Sequence, residues 1–332
     1  MRQAGWRWPE AAVRRLSRVV FASLAMLLAV LVGGCQWSSF SIVGVGISDA
    51  VWSSDGWVYY LREEASEGRQ LWRQPPRKGS GELVLDQSAA KSVCRGGTFH
   101  FLYQSSSGGL GVAVICDSST RTELLNYSEG GRRLEPFISH PSVPFLGDAF
   151  FVDGGSAGYA EVARECGMAV LPFVDGKLEE SDFAMTVGGN SFRIGGVNVG
   201  CESVARARSP IVLDGKLFFL IPDSRGEASA SSPKALDEVG WLLVQWDPEV
   251  RESTIIAEIP GIADLATNGQ DIVVAVHSRG EGGGVWSVDP IAGELSRIVD
   301  VGDAWHPSFS PSGKEFVYIK GLNRLEFDSL PA

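Results

Sequence analysis

HPSFSPSGKEFVY (residues 306–318) holds a short strand seed, a turn closed by Gly313 and a second alternating strand, and copies of this unit recur up the chain. HPSVPFLGDAFFV (140–152) aligns with it residue for residue: His140 with His306, Val143 with Phe309, Gly147 with Gly313, Phe150 with Phe316. Further copies centre on Gly56 (VWSSDGWVYYL), Gly97 (VCRGGTFHFLY), Gly215 (IVLDGKLFFL) and Gly269 (LATNGQDIVVAV), each with an apolar residue four positions before the glycine. The six glycines stand 41, 50, 68, 54 and 44 residues apart, which indicates a repeat architecture. Glycine makes up 40 of the 332 residues and falls mostly at turns between Val, Phe, Leu and Tyr runs. An all-β chain requires that placement.

Each unit continues into a second hairpin, so a complete unit reads as four antiparallel strands, a to d. Asp247-Pro248 with Glu252 follows WLLVQW, and Asp289-Pro290 with Glu294 follows GVWSV. Proline after aspartate presets such a turn. The sixth unit breaks the count: after EFVYIK and NRLEFDSL the chain stops at Ala332 without a strand d. FSIVGV (40–45) lies upstream of the first unit without a partner of its own and supplies the missing strand. A ring closed in this way has no open edge between its first and last sheets. The pattern therefore predicts a six-bladed β-propeller over residues 40–332, its last blade completed by an N-terminal strand. Seven blades is the rival count, because SFRIGGVNV (191–199) occupies the longest interval; lacking the glycine-turn register, it reads as a long connection. DSRGEASASSPKALDEVG (223–240) is too polar to bury itself and reads as a surface loop between strands b and c of the fourth blade.

The first 34 residues read as a signal peptide. Five arginines precede a 14-residue apolar run (19–32), which ends in Val32-Gly33-Gly34-Cys35. The run is short for a spanning helix, which needs about 20 residues. Small residues before a cysteine resemble the bacterial lipobox, which implies cleavage before Cys35, acylation of Cys35 and a short tether over 35–39. The expected location is the extracytoplasmic side of a bacterial membrane. Without residues 1–34 the 29 basic and 40 acidic residues become 24 and 39, a net charge of -15. That balance disfavours a nucleic-acid partner.

The repeats, best preserved in PSFSPSGKEFVY and VWSSDGWVYYL, resemble the WD40-like repeats of TolB-type propellers, whose core is a Trp-Ser-Pro-Asp-Gly run followed by a strand. The resemblance implies the propeller fold and a leaning toward protein binding. The α/β domain that precedes the propeller in TolB is not expected in these residues, and the family's Pro-Asp survives only in part, as Ser54-Asp55 and Pro311-Ser312.

Candidate functional residues are few. His140 and His306 occupy equivalent repeat positions before strand a and are expected at the channel mouth, either as ligand-facing groups or bonded to the turn beside them. In a six-fold ring their blades lie opposite, too far apart to share one zinc ion. His100 and His277 read as packing residues on strands b. Trp305 is expected to be an exposed binding aromatic beside His306. Asp303, with Asp49 and Asp264, stands near a strand start, but the three offsets from the repeat differ. Gly154-Gly155-Ser156-Ala157-Gly158 matches the hydrolase elbow pattern without the following helix the elbow needs, and reads as a b-to-c loop. No residue spacing indicates a metal or cofactor. Cys94, Cys116, Cys166 and Cys201 allow three pairings; Cys94 with Cys116 and Cys166 with Cys201 keeps each bridge within or between neighbouring blades. The expected function is a lipid-anchored, non-enzymatic module that binds a protein, a peptide or a cell-envelope component. The alternative is a propeller hydrolase or lyase acting at the channel mouth. Substituting Cys35→Ser is expected to abolish acylation and release the domain from the membrane fraction, read by fractionation and by the mass of the mature N-terminal peptide.

Overall fold

The computed structural model describes residues 46–331 apart from 78, 105–108, 117–120, 130–131, 140–145, 153–156, 165–166, 175–176, 179–190, 195–196, 201–207, 224–239, 248, 251 and 279–281. Cys35, the tether, the expected closing strand at 40–45, His140, Cys166 and Cys201 lie outside the described residues.

Antiparallel sheets follow one another along the chain. The first holds β1 (Gly46–Trp52), β2 (Val58–Glu64), β3 (Gly68–Gln74) and β4 (Glu82–Leu85). A short helix α1 (Gln87–Val93) leads to β5 (Thr98–Gln104), β6 (Leu110–Cys116), β7 (Arg121–Ser128) and β8 (Arg133–Ser139). The third sheet is β9 (Leu146–Val152), β10 (Ala157–Arg164), β11 (Gly167–Val174) and β12 (Lys177–Leu178). A hairpin of β13 (Ser191–Ile194) and β14 (Val197–Gly200) follows. Then come β15 (Arg208–Leu213), β16 (Lys216–Pro222), β17 (Trp241–Asp247) and β18 (Glu252–Ile259), and next β19 (Ile262–Thr267), β20 (Ile272–His277), β21 (Gly284–Val288) and β22 (Leu295–Val299). The last sheet has three strands, β23 (Ala304–Phe309), β24 (Glu315–Lys320) and β25 (Arg324–Ser329).

The first strands of these sheets neighbour one another in a closed circuit, β1 to β5 to β9 to β15 to β19 to β23 and back to β1. This is a β-propeller, with β1, β5, β9, β15, β19 and β23 innermost. The burial pattern follows from it. Second strands lie between neighbouring sheets on both faces, so they read as unbroken apolar runs rather than alternating ones: Val58 to Leu61, Leu217 to Ile221, Ile272 to Val276 and Phe316 to Ile319 are all buried. Outer strands such as β18, β22 and β25 carry exposed or half-buried residues.

The hairpin turns obey their local chemistry. Gly56, Gly215, Gly269 and Gly313 all take positive φ, between 69° and 90°, where a Cβ is strained. Ser53 and Ser310 close equivalent turns, accepting from the amides of Gly56 and Gly313 at 3.0 and 2.8 Å. The Asp247 and Asp289 carboxylates each accept two backbone amides at their turns, from Glu249 and Val250 and from Ile291 and Ala292.

Two repeat copies are out of register. Gly97 lies at the joint between α1 and β5, where a Cβ would meet the Ala90 carbonyl oxygen at 2.1 Å. The strand after it, β5, is innermost rather than second. Gly147 lies within β9, also innermost, whereas Gly313 closes the turn after β23, so the two glycines do not hold equivalent places. Of the Gly154–Gly158 motif, Ala157 and Gly158 open β10, a strand b paired with β9, and residues 154–156 lie outside the described residues. SFRIGGVNV is a hairpin beside β18 rather than a plain connection.

The first and last sheets touch directly. Trp52 meets Phe327 edge-on at 5.5 Å, the Trp52 amide donates to Ser308 Oγ at 3.0 Å, and the Ile47 amide donates to the Leu322 carbonyl at 2.5 Å. A groove of about 710 Å³ runs beside β25, bordered by Gly46, Ile47, Leu325 and Phe327.

Cys94 and Cys116 form a disulfide, which ties the residue after α1 to the end of β6 across a sequence separation of 22. A loop of that length contributes about 3 kcal/mol by restricting the unfolded chain. Cys94→Ala with Cys116→Ala is expected to lower the urea-unfolding free energy by about that amount.

Candidate functional site

The inner strands are not smooth. Pairing slips between Ile47 and Asp49 in β1, between Phe99 and Leu102 in β5, between Arg208 and Ile211 in β15 and between Trp305 and Ser308 in β23. A bulge re-aims side chains, and here it does so near the starts of strands from four sheets. In β15 and β23 the bulge falls on Ser209-Pro210 and His306-Pro307, because proline has no amide to donate to the ladder. Ser209 and His306 take φ of 53° and 44°. Such left-handed geometry at non-glycine residues costs about 1–3 kcal/mol and persists only where the surroundings enforce it.

The surroundings are two buried carboxylates. Asp264 on β19 is 2% exposed, and its oxygens gather donors from the sheets on either side. Oδ1 accepts from Arg208 Nη2 at 2.5 Å and from Ser209 Oγ at 3.4 Å; Oδ2 accepts from the His306 backbone amide at 3.1 Å. Asp49 on β1 accepts from its neighbour's amide, Ala50, at 2.7 Å and from the Leu102 amide of β5 at 2.6 Å. His306 Nδ1 stands 3.8 Å from both Asp49 Oδ1 and Asp264 Oδ2. Five of the sheets' worth of chain is thus drawn together through β1, β5, β15, β19 and β23.

The environments push the two acids apart. Burial raises Asp49 above 3.8, opposed by His306 and by the Leu102 and Ala50 amides. Burial acts the same way on Asp264, but the Arg208 guanidinium, His306 and their hydrogen bonds outweigh it and hold the carboxyl below 3.8.

A second pair lies at the same end of the ring, where strand b of the fifth sheet ends and strand a of the sixth begins. His277 Nδ1 and Asp303 Oδ1 are 2.6 Å apart, and the His277 ring stacks on Trp305 at 4.5 Å. Trp305 is 8% exposed. It is therefore not the exposed aromatic its position beside His306 suggested; the bulge that turns His306 toward the axis leaves Trp305 between blades. Asp303 holds His277 and keeps its own side chain 31% exposed at this end of the ring, and His277 is more than a packing residue. His100 does lie buried, but on an innermost strand rather than on strand b. His306 bonds other blades, not the turn beside it. The residues that sequence reasoning missed are Arg208 and Ser209; the X-Pro dipeptide shared by 209–210 and 306–307 is the signal that pairs them with His306.

Among the described residues no group of three or more His, Cys, Asp or Glu side chains is placed to hold a metal ion. No protein-family model matches the chain, and no curated protein matches it.

Asp264→Asn is expected to cost about 3 kcal/mol at pH 7, since Arg208 then faces no countercharge. A depressed carboxyl adds stability that is complete above its unfolded value of 3.8 and is lost as pH falls through its lower folded value. The gap between wild type and variant in urea unfolding should therefore narrow at pH 3 and below. Asp49 works in the opposite direction, favouring the folded state as pH falls through its raised value.

Solved structures share the architecture. TolB from Acinetobacter baumannii superposes with a TM-score of 0.54 at 15% identity over 83% of this chain and 62% of that one; this chain thus spans less than two thirds of that protein's length. A gluconolactonase from Xanthomonas campestris gives 0.54 at 12% identity, covering 87% of each chain. The tricorn protease gives 0.53 at 11% identity, over 86% of this chain and 25% of that one. At these identities the likeness is one of fold, and the fold is the TolB-like β-propeller.

Proposed function

We propose that this chain is a six-bladed, extracytoplasmic propeller, anchored by acylated Cys35 through the 35–39 tether. It binds a protein segment or another cell-envelope component at the end of the channel where the inner strands begin. The TolB-like fold and the lipobox-like N-terminus support the location. The observation that carries the binding reading is the state of the two acids. Asp49 and Asp264 spend their oxygens on backbone and side-chain donors that tie strand to strand, so they act as struts, and beside them Arg208 at 25% and His306 at 37% side-chain exposure offer donors to solvent. A fold alone does not dictate function; this distribution of donors is what favours a recognition surface.

One observation favours a second reading, a hydrolase or lyase. Asp49, raised by burial, stands beside His306 and offers an acid–base pair of the type that active sites use.

His306→Asn separates the two, because asparagine tolerates the left-handed backbone at that position. In pull-downs from intact envelopes the variant is expected to lose partner capture about tenfold, equivalent to ~1.4 kcal/mol, with its thermal midpoint kept. Capture that survives in His306→Asn, together with turnover of ester or lactone substrates that the variant lacks, would replace the binding reading with the enzymatic one.

A further inference from the structure

We infer that Arg208 and His306 form a clamp for a carboxylate, so that the ligand at this mouth presents a free carboxyl group such as the C-terminus of a peptide. The inference rests on the binding reading above and names the chemistry of its ligand. Arg208 spends Nη2 on Asp264 Oδ1, and among the described residues the rest of its planar fork has no hydrogen-bond partner, at 25% side-chain exposure. Guanidinium forks match carboxylates in two parallel hydrogen bonds. His306 turns Nδ1 toward Asp49 and Asp264, so Nε2, on the far side of the ring, faces away from both acids. A ring nitrogen that carries its proton donates to an oxygen it faces.

The two tips are placed together by one group. Asp264 holds Arg208 through one oxygen and the His306 backbone through the other, from inner strands on opposite sides of β19. The strained backbones at Ser209, next to Arg208, and at His306 itself are what this placement requires: each turns out of the strand there. The buried acids supply countercharge from below, which fixes the fork's orientation without occupying its solvent side. A cationic ligand would meet two donors first and reach the acids only by displacing them. The chain as a whole is acidic, so the clamp selects by short-range hydrogen bonding rather than by long-range attraction.

The test uses the full acylated chain in detergent micelles and a dansyl-labelled triglycine, with either a free carboxyl or a carboxamide end, read by fluorescence anisotropy. The free acid is expected to bind at least tenfold more tightly than the amide, the range of a charge-assisted hydrogen bond. Arg208→Lys keeps a charge for Asp264 but loses the fork, and His306→Asn keeps the backbone geometry; each is expected to erase most of that preference while leaving unfolding in urea near wild type. Equal binding of acid and amide, a preference unchanged in both variants, no binding of either peptide, or tighter binding of a lysine-bearing amide would each overturn the clamp. If envelope partners are still captured by wild type and lost in His306→Asn, such a result removes the carboxylate and leaves the binding reading standing.

Discussion

The carboxylate of Asp264 is the constraint on which the mouth of this ring depends. A buried charge is tolerated only when donors surround it, and no single blade can supply enough of them. Arg208 and Ser209 come from the sheet before, the His306 amide from the sheet after. Asp49 makes the equivalent tie between β1 and β5 through the Leu102 amide. Apolar packing between blades is broad and non-directional; it fixes how tightly sheets press but not the register at which one inner strand faces the next. These carboxylates fix that register.

The rest of the inner-strand geometry is a response to them. A regular strand points alternate side chains at its two neighbouring blades and none along the axis. Bulges in β1, β5, β15 and β23 break that alternation and turn polar groups inward. The opposite end of the ring is organised differently. There the hairpins turn on positive-φ glycines and neighbouring turns lock together, as where Asn268 Nδ2 donates to the Gly313 carbonyl at 2.9 Å. One end is thus shaped by backbone turns, with ion pairs such as Arg77–Glu315 and Lys216–Asp247 beside them, and the other by buried carboxylates that tie inner strands together.

The sequence reveals the first kind of interaction far better than the second. Glycine at a tight turn, apolar runs on second strands and Asp-Pro between outer strands are local signals, and they located the blades around Gly56, Gly215, Gly269 and Gly313. Where the glycine has another task the reading failed: Gly97 serves close packing under α1, and Gly147 sits inside a strand. The site was half visible. His306 stood out by its repeat position, but its partners Asp264, Asp49 and Arg208 sit at different offsets in three other blades, and no period connects them. Trp305 shows the same limit, since one bulge decides whether it or His306 faces the axis.

The distribution of donors and acceptors also bears on the proposed binding reading. A general base needs a lone pair aimed at the substrate, and an acid needs a proton it can release there. Asp264 aims one oxygen at a guanidinium and the other at an amide, and Asp49 aims each oxygen at an amide, so moving either acid toward a substrate would unpair backbone groups on a neighbouring blade. His277 is likewise oriented, but by Asp303 and by stacking on a buried tryptophan between the sheet of β19–β22 and that of β23–β25. The acids are therefore rigid because the ring needs them to be. Rigidity of that kind is a cost to proton shuttling and an advantage to binding, where a preorganised pair of donors loses little freedom when a ligand arrives.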